Sequence, residues 1–161
     1  MASRQNNPSR NYSSPSVKQF RIGIVVSEFN SGITEKLFLG AKNTLLKSGM
    51  VQKNIFRINV PGAFELPLGA QWLIENKNPD AVICLGCIIR GETKHDRYIS
   101  RAVSEGIMNL NLKYNLPVLF GVLTAENEKQ ARERSGGKFG NKGVEAAFAA
   151  IKMANLKNLL R

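Results

Sequence analysis

The sequence predicts a three-layer α/β domain in which a four-stranded parallel sheet carries helices on both faces. Three observations predict it. Apolar runs at 20–27 (FRIGIVVS), 82–89 (VICLGCII) and 118–123 (VLFGVL), with a shorter alternating one at 54–60, have the length and β-branched content of buried strands. Stretches with apolar residues at helical spacing separate them. The connecting segments are short, so strand and helix alternate, and alternation of that kind pairs strands in parallel through crossovers.

Residues 1–18 (MASRQNNPSRNYSSPSVK) are polar, punctuated by proline and without apolar period, which reads as a flexible arm ahead of one domain over 19–161. The first strand stops at Glu28-Phe29-Asn30-Ser31, where Asn30 or Ser31 is placed to cap a helix. Ile33, Leu37, Ala41 and Leu45 mark its inner face, and Gly49 ends it as a C′ glycine. The second strand runs into Pro61-Gly62-Ala63-Phe64-Glu65, a turn, with Pro67 suited to the next helix's first turn. The third strand ends in Arg90-Gly91-Glu92. Thr93 then opens a helix with Asp96 three residues on, the spacing of a capping box. Ile99, Val103, Ile107, Leu110 and Tyr114 form its inner face until Asn115-Leu116-Pro117 breaks it. After the fourth strand, Thr124 is placed to cap a charged helix from Ala125 to about Arg134. A glycine-rich stretch, SGGKFGNKG at 135–143, leads into a last helix carrying Val144, Ala147, Phe148, Ile151 and Ala154. Four strands so connected predict the flavodoxin-like order 2-1-3-4, with every strand end along one edge, where such folds bind ligands.

The composition excludes several classes. A hydrophobic share of 43% is globular, and no apolar run approaches the roughly 20 residues that span a bilayer. The polar start offers no apolar signal region, and Cys84 and Cys87 are the only cysteines, so a reducing cytoplasm is expected. Their CxxC spacing falls inside a strand, where an odd separation sends the two side chains to opposite faces. That geometry argues against a redox pair, and no second Cys/His pair completes a zinc site. The net charge of +11 is spread over helix faces, with clusters only at 90–101 and 132–142. Small anions such as phosphate esters fit those clusters, with nucleic acid bound only as a non-specific polyanion.

Three strand ends deliver functional groups to one edge. Phe29 there either stacks on a planar ring or staples the following helix. Glu65 either complements a helix dipole or accepts hydrogen bonds from a polyol. His95 is the only histidine in the chain and falls in the first turn of a helix, where a proton shuttle and a structural role are both open. SGGKFGNKG allows close backbone approach to an anion, flanked by Arg134, Lys138 and Lys142, but it is no P-loop, and a plain helix linker is the alternative.

FN at 29–30, VPGAFELP at 60–67, LGCIIRGETKH at 85–95, FGVLTAEN at 120–127 and ERSGGKFGNKGVEAA at 133–147 together resemble the lumazine synthase (6,7-dimethyl-8-ribityllumazine synthase) family over about residues 20–156. The resemblance implies condensation of 5-amino-6-(D-ribitylamino)uracil with 3,4-dihydroxy-2-butanone 4-phosphate, the penultimate step of riboflavin biosynthesis, without cofactor or metal. It implies that Phe29, beside Asn30, stacks on the pyrimidine and that Ala63, Phe64 and Glu65 hold the ribityl chain. Cys87, Ile88 and Ile89 at the strand end join the substrate-binding set. Gly91, Glu92 and Thr93 would meet the phosphate with Arg134 as cationic partner, and His95 would shuttle protons. Phe120, Arg134 and Lys142 would reach the site from a neighbouring subunit of a pentamer. Twelve pentamers closing into a 60-subunit shell, and riboflavin synthase as a partner, are further implications. Glu28 replaces a common arginine, and Asp96-Arg97 a common aromatic–acid pair, departures that bear on pH profile and affinity.

Overall fold

A computed structural model describes residues 15–161, so most of the expected arm, residues 1–14, lies outside the described residues. Pro15–Gln19 form a 3₁₀ turn whose Val17 is 0% exposed in the core, so the packed chain starts a few residues before position 19. The sheet holds β1 (Ile22–Ser27), β2 (Ile55–Val60), β3 (Ala81–Ile89) and β4 (Val118–Ala125), all parallel and in the order β2-β1-β3-β4. The helices are α1 (Ser31–Lys47), α2 (Leu66–Lys77), α3 (His95–Tyr114), α4 (Glu128–Glu133) and α5 (Lys142–Leu159). This is the flavodoxin-like arrangement expected.

Two apolar cores sandwich the sheet. Ile24, Val26, Ile83 and Leu85 face α1 and α5, while Val25, Val82 and Cys84 face α2 and α3. Cys87 belongs to the first core and Cys84 to the second, the opposite orientation that their odd separation predicts. Burial pushes the Cys84 thiol up to about 12 and Cys87 up to about 11, because a thiolate there would lose its hydration. Burial thus favours the neutral thiol at both positions.

The predicted inner face of α1 is buried in full, and the helix ends as read. Gly49 takes φ 99°, its N–H bonds Leu46 O at 3.0 Å and the Met50 N–H bonds Leu45 O at 3.1 Å, the paired bonds of a Schellman cap. Asn78 and Asn115 end α2 and α3 in the left-handed region.

Three local expectations need correction. Thr124 does not cap a helix: β4 continues through it to pair Thr124 and Ala125 with Ile88 and Ile89, and Asn127 caps α4 instead, its side chain accepting from the Gln130 N–H. The glycine-rich stretch is a small antiparallel hairpin, β5 (Ser135–Gly137) with β6 (Gly140–Asn141), rather than a plain linker. On α5, Ala146 and Ala150 are buried with Ala147, Ile151 and Ala154, while Val144 and Phe148 are only half-buried. Alanines there let α5 lie close against α1.

Candidate active site

The C-terminal ends of the strands form one edge, and the turns after β1, β2 and β3 meet on it. Phe29 follows β1, and its N–H bonds Pro61 O at 3.0 Å, while the Glu28 N–H bonds Val60 O at 2.8 Å. These bonds seat the turn after β2 beside the turn after β1. Phe29 is 72% exposed. It does not staple α1, because the residue a staple would contact, Thr34, is buried and spends its hydroxyl on Ser27 O at 2.8 Å. A ring held out at a strand end is available to stack on a flat ligand.

Asn30 stands at the N-cap position of α1, but its side chain does not cap. The residue sits at φ 60°, and Nδ2 donates to Cys87 O at 2.9 Å. That bond ties the Phe29 turn to the end of β3. After β2, the 3₁₀ turn Ala63–Glu65 buries Ala63 and leaves Phe64 60% exposed. The Glu65 carboxylate accepts from the Gly62 N–H at 2.9 Å through Oε2. Its other oxygen carries no hydrogen bond among the described residues, so Glu65 caps its own turn and still has an acceptor to offer.

Cys87 and Ile88 are buried and Ile89 half-buried, so this part of β3 offers a ligand backbone rather than side chains. Beyond it, Gly91, Glu92, Thr93 and His95 are all exposed. The predicted capping box is absent. Lys94 is the N-cap of α3, without a side-chain bond, and the Thr93 hydroxyl only approaches the His95 N–H at 3.4 Å. The Arg97 N–H bonds Lys94 O at 3.1 Å, and the positive start of α3 stands beside an exposed hydroxyl and imidazole, an arrangement that suits an anion. Arg90 is anchored to the end of β4: its N–H bonds Ala125 O, and its guanidinium pairs with Glu126 at 2.9 Å.

Phe120, Arg134 and Lys142 do not join this edge within one chain. Phe120 is 38% exposed on β4, opposite Cys84, while the strand end lies at Ala125 opposite Ile89. Five residues of strand place it about 16 Å below the edge. Arg134 ends α4, whose Ala131 packs in the α1–α5 core, whereas α3 covers the other face through Val103 and Ile107. The Arg134 guanidinium lies 5.7 Å from the centre of the Phe139 ring, and the Lys142 ammonium pairs with Glu145 at 2.9 Å. The cations and the histidine sit on opposite sides of the sheet. No cluster of three or more metal-binding side chains occurs among the described residues, and no helix there is long and apolar enough to cross a membrane.

The model of the 6,7-dimethyl-8-ribityllumazine synthase family matches residues 19–158, from ahead of β1 to the last turn of α5. The chain belongs to that family. It is 58% identical over 139 residues to the 6,7-dimethyl-8-ribityllumazine synthase of Cytophaga hutchinsonii, covering 86% of this chain and 87% of that protein. The enzyme of the same name from Parabacteroides distasonis is 52% identical over 141 residues, 88% of each chain. That of Flavobacterium psychrophilum is 50% identical over 143 residues, 89% of this chain and 76% of its own. Asn141 was missed as a structural residue of the site's surroundings, since a tether to a helix 105 residues away has no local pattern.

Proposed function

We propose that this chain condenses 5-amino-6-(D-ribitylamino)uracil with 3,4-dihydroxy-2-butanone 4-phosphate to give 6,7-dimethyl-8-ribityllumazine, phosphate and water. The observation that carries the proposal is the shared edge, where exposed Phe29, the Glu65 turn and the Thr93–His95 helix start stand together over the Asn30–Cys87 bond. Phe29 stacks on the pyrimidine, and the free Glu65 oxygen accepts a ribityl hydroxyl. The positive start of α3 and the Thr93 hydroxyl receive the phosphate. Amine addition to the ketone, loss of water, loss of phosphate and ring closure then need orientation and proton transfer rather than a covalent nucleophile. His95, exposed beside the phosphate position, moves the protons. Mixing the protein with both substrates and following lumazine fluorescence tests the reading, and no product at any substrate concentration overturns it.

Phe120, Arg134 and Lys142 enter through a second copy. Two observations support this: none of the three reaches its own edge, and Leu68 and Trp72 on α2 with Met108 and Leu112 on α3 are exposed apolar side chains. Apolar surface of that extent usually marks an interface. The ring is a pentamer, and closure of twelve rings into a shell is opposed by +11 per chain, a repulsion that salt or bound phosphate screens. Light scattering is expected to show no monomer, and particles well above pentamer mass when phosphate is present. Pentamers under every condition would remove the shell, and an active monomer would remove the shared site.

Arg134→Ala is expected to weaken use of the butanone phosphate at least tenfold, since a charge-assisted bond to phosphate contributes about 1.5–3 kcal/mol. Pyrimidine binding should change less. Equal loss for both substrates would show that Arg134 acts on the interface instead.

A further inference from the structure

The hairpin that follows Arg134 is bonded to α1 through the side chain of Asn141. Asn141 uses its whole hydrogen-bonding capacity. Nδ2 donates to Lys36 O in α1 at 2.9 Å and to Ser135 O at 3.2 Å. Oδ1 accepts from the N–H of Gly143 at 2.8 Å and of Val144 at 3.3 Å. A carboxamide has two donors and two acceptor lone pairs, so every one is spent. The four bonds join three elements: α1, the strand after Arg134, and the start of α5.

Two glycines make room for this. A methyl group on Gly40 of α1 would lie 2.6 Å from the Asn141 carboxamide, and one on Gly143 would lie 2.7 Å from the carbonyl carbon of Leu37. Arg134 sits inside the fastened region. Its carbonyl accepts from the Lys142 N–H at 3.0 Å, next to Asn141, and Ser135, directly after it, takes both the Asn141 side chain and the β5–β6 pairing. The Phe139 N–H bonds Glu133 O at 2.9 Å, which closes the loop around Arg134.

We infer that Asn141 is a positioning residue: it holds the Arg134 hairpin against α1 so that the guanidinium is presented in a fixed place to the phosphate of a neighbouring copy's substrate. The inference rests on the proposed activity, because it takes Arg134 as a phosphate partner. An alternative role, plain helix capping of α5, is separable by chemistry. Asp at 141 keeps both acceptors for Gly143 and Val144, and its charge suits a helix N-terminus. It has no donor for Lys36 O or Ser135 O, and it places a negative charge against both carbonyls.

Asn141→Asp is therefore the discriminating variant. It is expected to raise KM for the butanone phosphate about tenfold or more, with kcat and the KM for the pyrimidine changed much less, since a displaced guanidinium loses its charge-assisted bond to the phosphate. In an Arg134→Ala background the same change should add almost nothing, because the group it positions is already gone. Gly40→Ala is the second variant. Alanine favours a helix over glycine, so the substitution would stabilise the fold if Asn141 could step aside. Here it is expected to lower stability and to reproduce the KM effect. Native-state hydrogen exchange reads the tether without any substrate: the Phe139 and Lys142 amides should exchange at least tenfold faster in Asn141→Asp, with the β1 and β3 amides unchanged. Wild-type KM values in Asn141→Asp, or additive losses with Arg134→Ala, would overturn the positioning role. Unchanged exchange would overturn the tether. A wild-type protein that forms no lumazine would overturn the activity instead, and the exchange rates would still decide whether Asn141 holds the hairpin.

Discussion

Gly143→Ala is expected to destabilise the fold by more than ~3 kcal/mol, the upper range for overpacking, because the added methyl meets main chain and no rotamer change relieves it. Its position falls far inside contact distance of Leu37 O and 2.7 Å from the carbonyl carbon, in the middle of α1. Relief requires α5 to move away from α1, and that separation opens the core around Leu37, Ala147 and Ile151 and strains the Asn141 cap. For a chain of this size each kcal/mol shifts Tm by about 2–4 °C, so a fall near 10 °C is the expected reading in a thermal melt. Gly32→Ala on α1, the helix that Gly143 packs against, is the control, since a methyl there meets nothing within 4 Å. A melt of Gly143→Ala within a degree or two of wild type would mean that the two helices are not in backbone contact.

His95→Ala is expected to lower kcat roughly 10- to 100-fold without abolishing turnover. General acid–base assistance contributes about 10²–10⁴ in many enzymes, and the effect here falls at or below the lower end because an amine and a ketone also condense slowly unaided. Orientation by Phe29 and the amides at the start of α3 survives the substitution, so the remaining rate stays above that of the substrates alone. Stability should hardly move, as the side chain is exposed. Steady-state rates with a circular-dichroism melt on the same sample separate the two effects. Complete loss of turnover in a folded variant would give His95 a larger part than proton transfer, and an unchanged rate would remove it from the chemistry.

The central framework was legible because burial imposes periodicity. Ile33, Leu37, Ala41 and Leu45 repeat at helical spacing and all four are buried, and the odd spacing of Cys84 and Cys87 placed one thiol in each core. Gly49 was legible for a different reason, since a Schellman turn demands the φ it adopts. Local signals failed where a distant partner won. Thr124 has the chemistry of a cap, but pairing with Ile88 keeps it extended. Thr93 and Asp96 have capping-box spacing, yet the helix starts two residues later, at His95. The hairpin at 135–141 was invisible because its fastening runs through Asn141 to Lys36, on the far side of the chain. Phe29 and Asn30 lie in the turn after β1 and His95 opens α3, and the Asn30 amide nitrogen also ties that turn to β3, a bond with no signal in the sequence. Phe120 lies five strand residues below the edge, while Arg134 and Lys142 stand on elements of the α1–α5 face, and the state of the assembled particle is the test of whether they act across copies.

The sheet order also dictates when the protein can fold as it is made. All four strands are parallel, so none pairs with the next through a tight turn. The first strand to emerge, β1, belongs in the middle, and its inner neighbour β3 comes late. Arg21 and Asp80, which lock the foot of that pair through bonds of 2.8 and 2.7 Å, are 59 residues apart. At about 5–20 residues per second, a ribosome needs roughly 3–12 s to cover that interval. Through those seconds the nascent β1–α1–β2 unit shows a bare apolar strand edge to every other chain nearby. The hazard is greatest when many copies are translated side by side; docking of β3 moves the bare edge from β1 to β3, and only β4 covers that one.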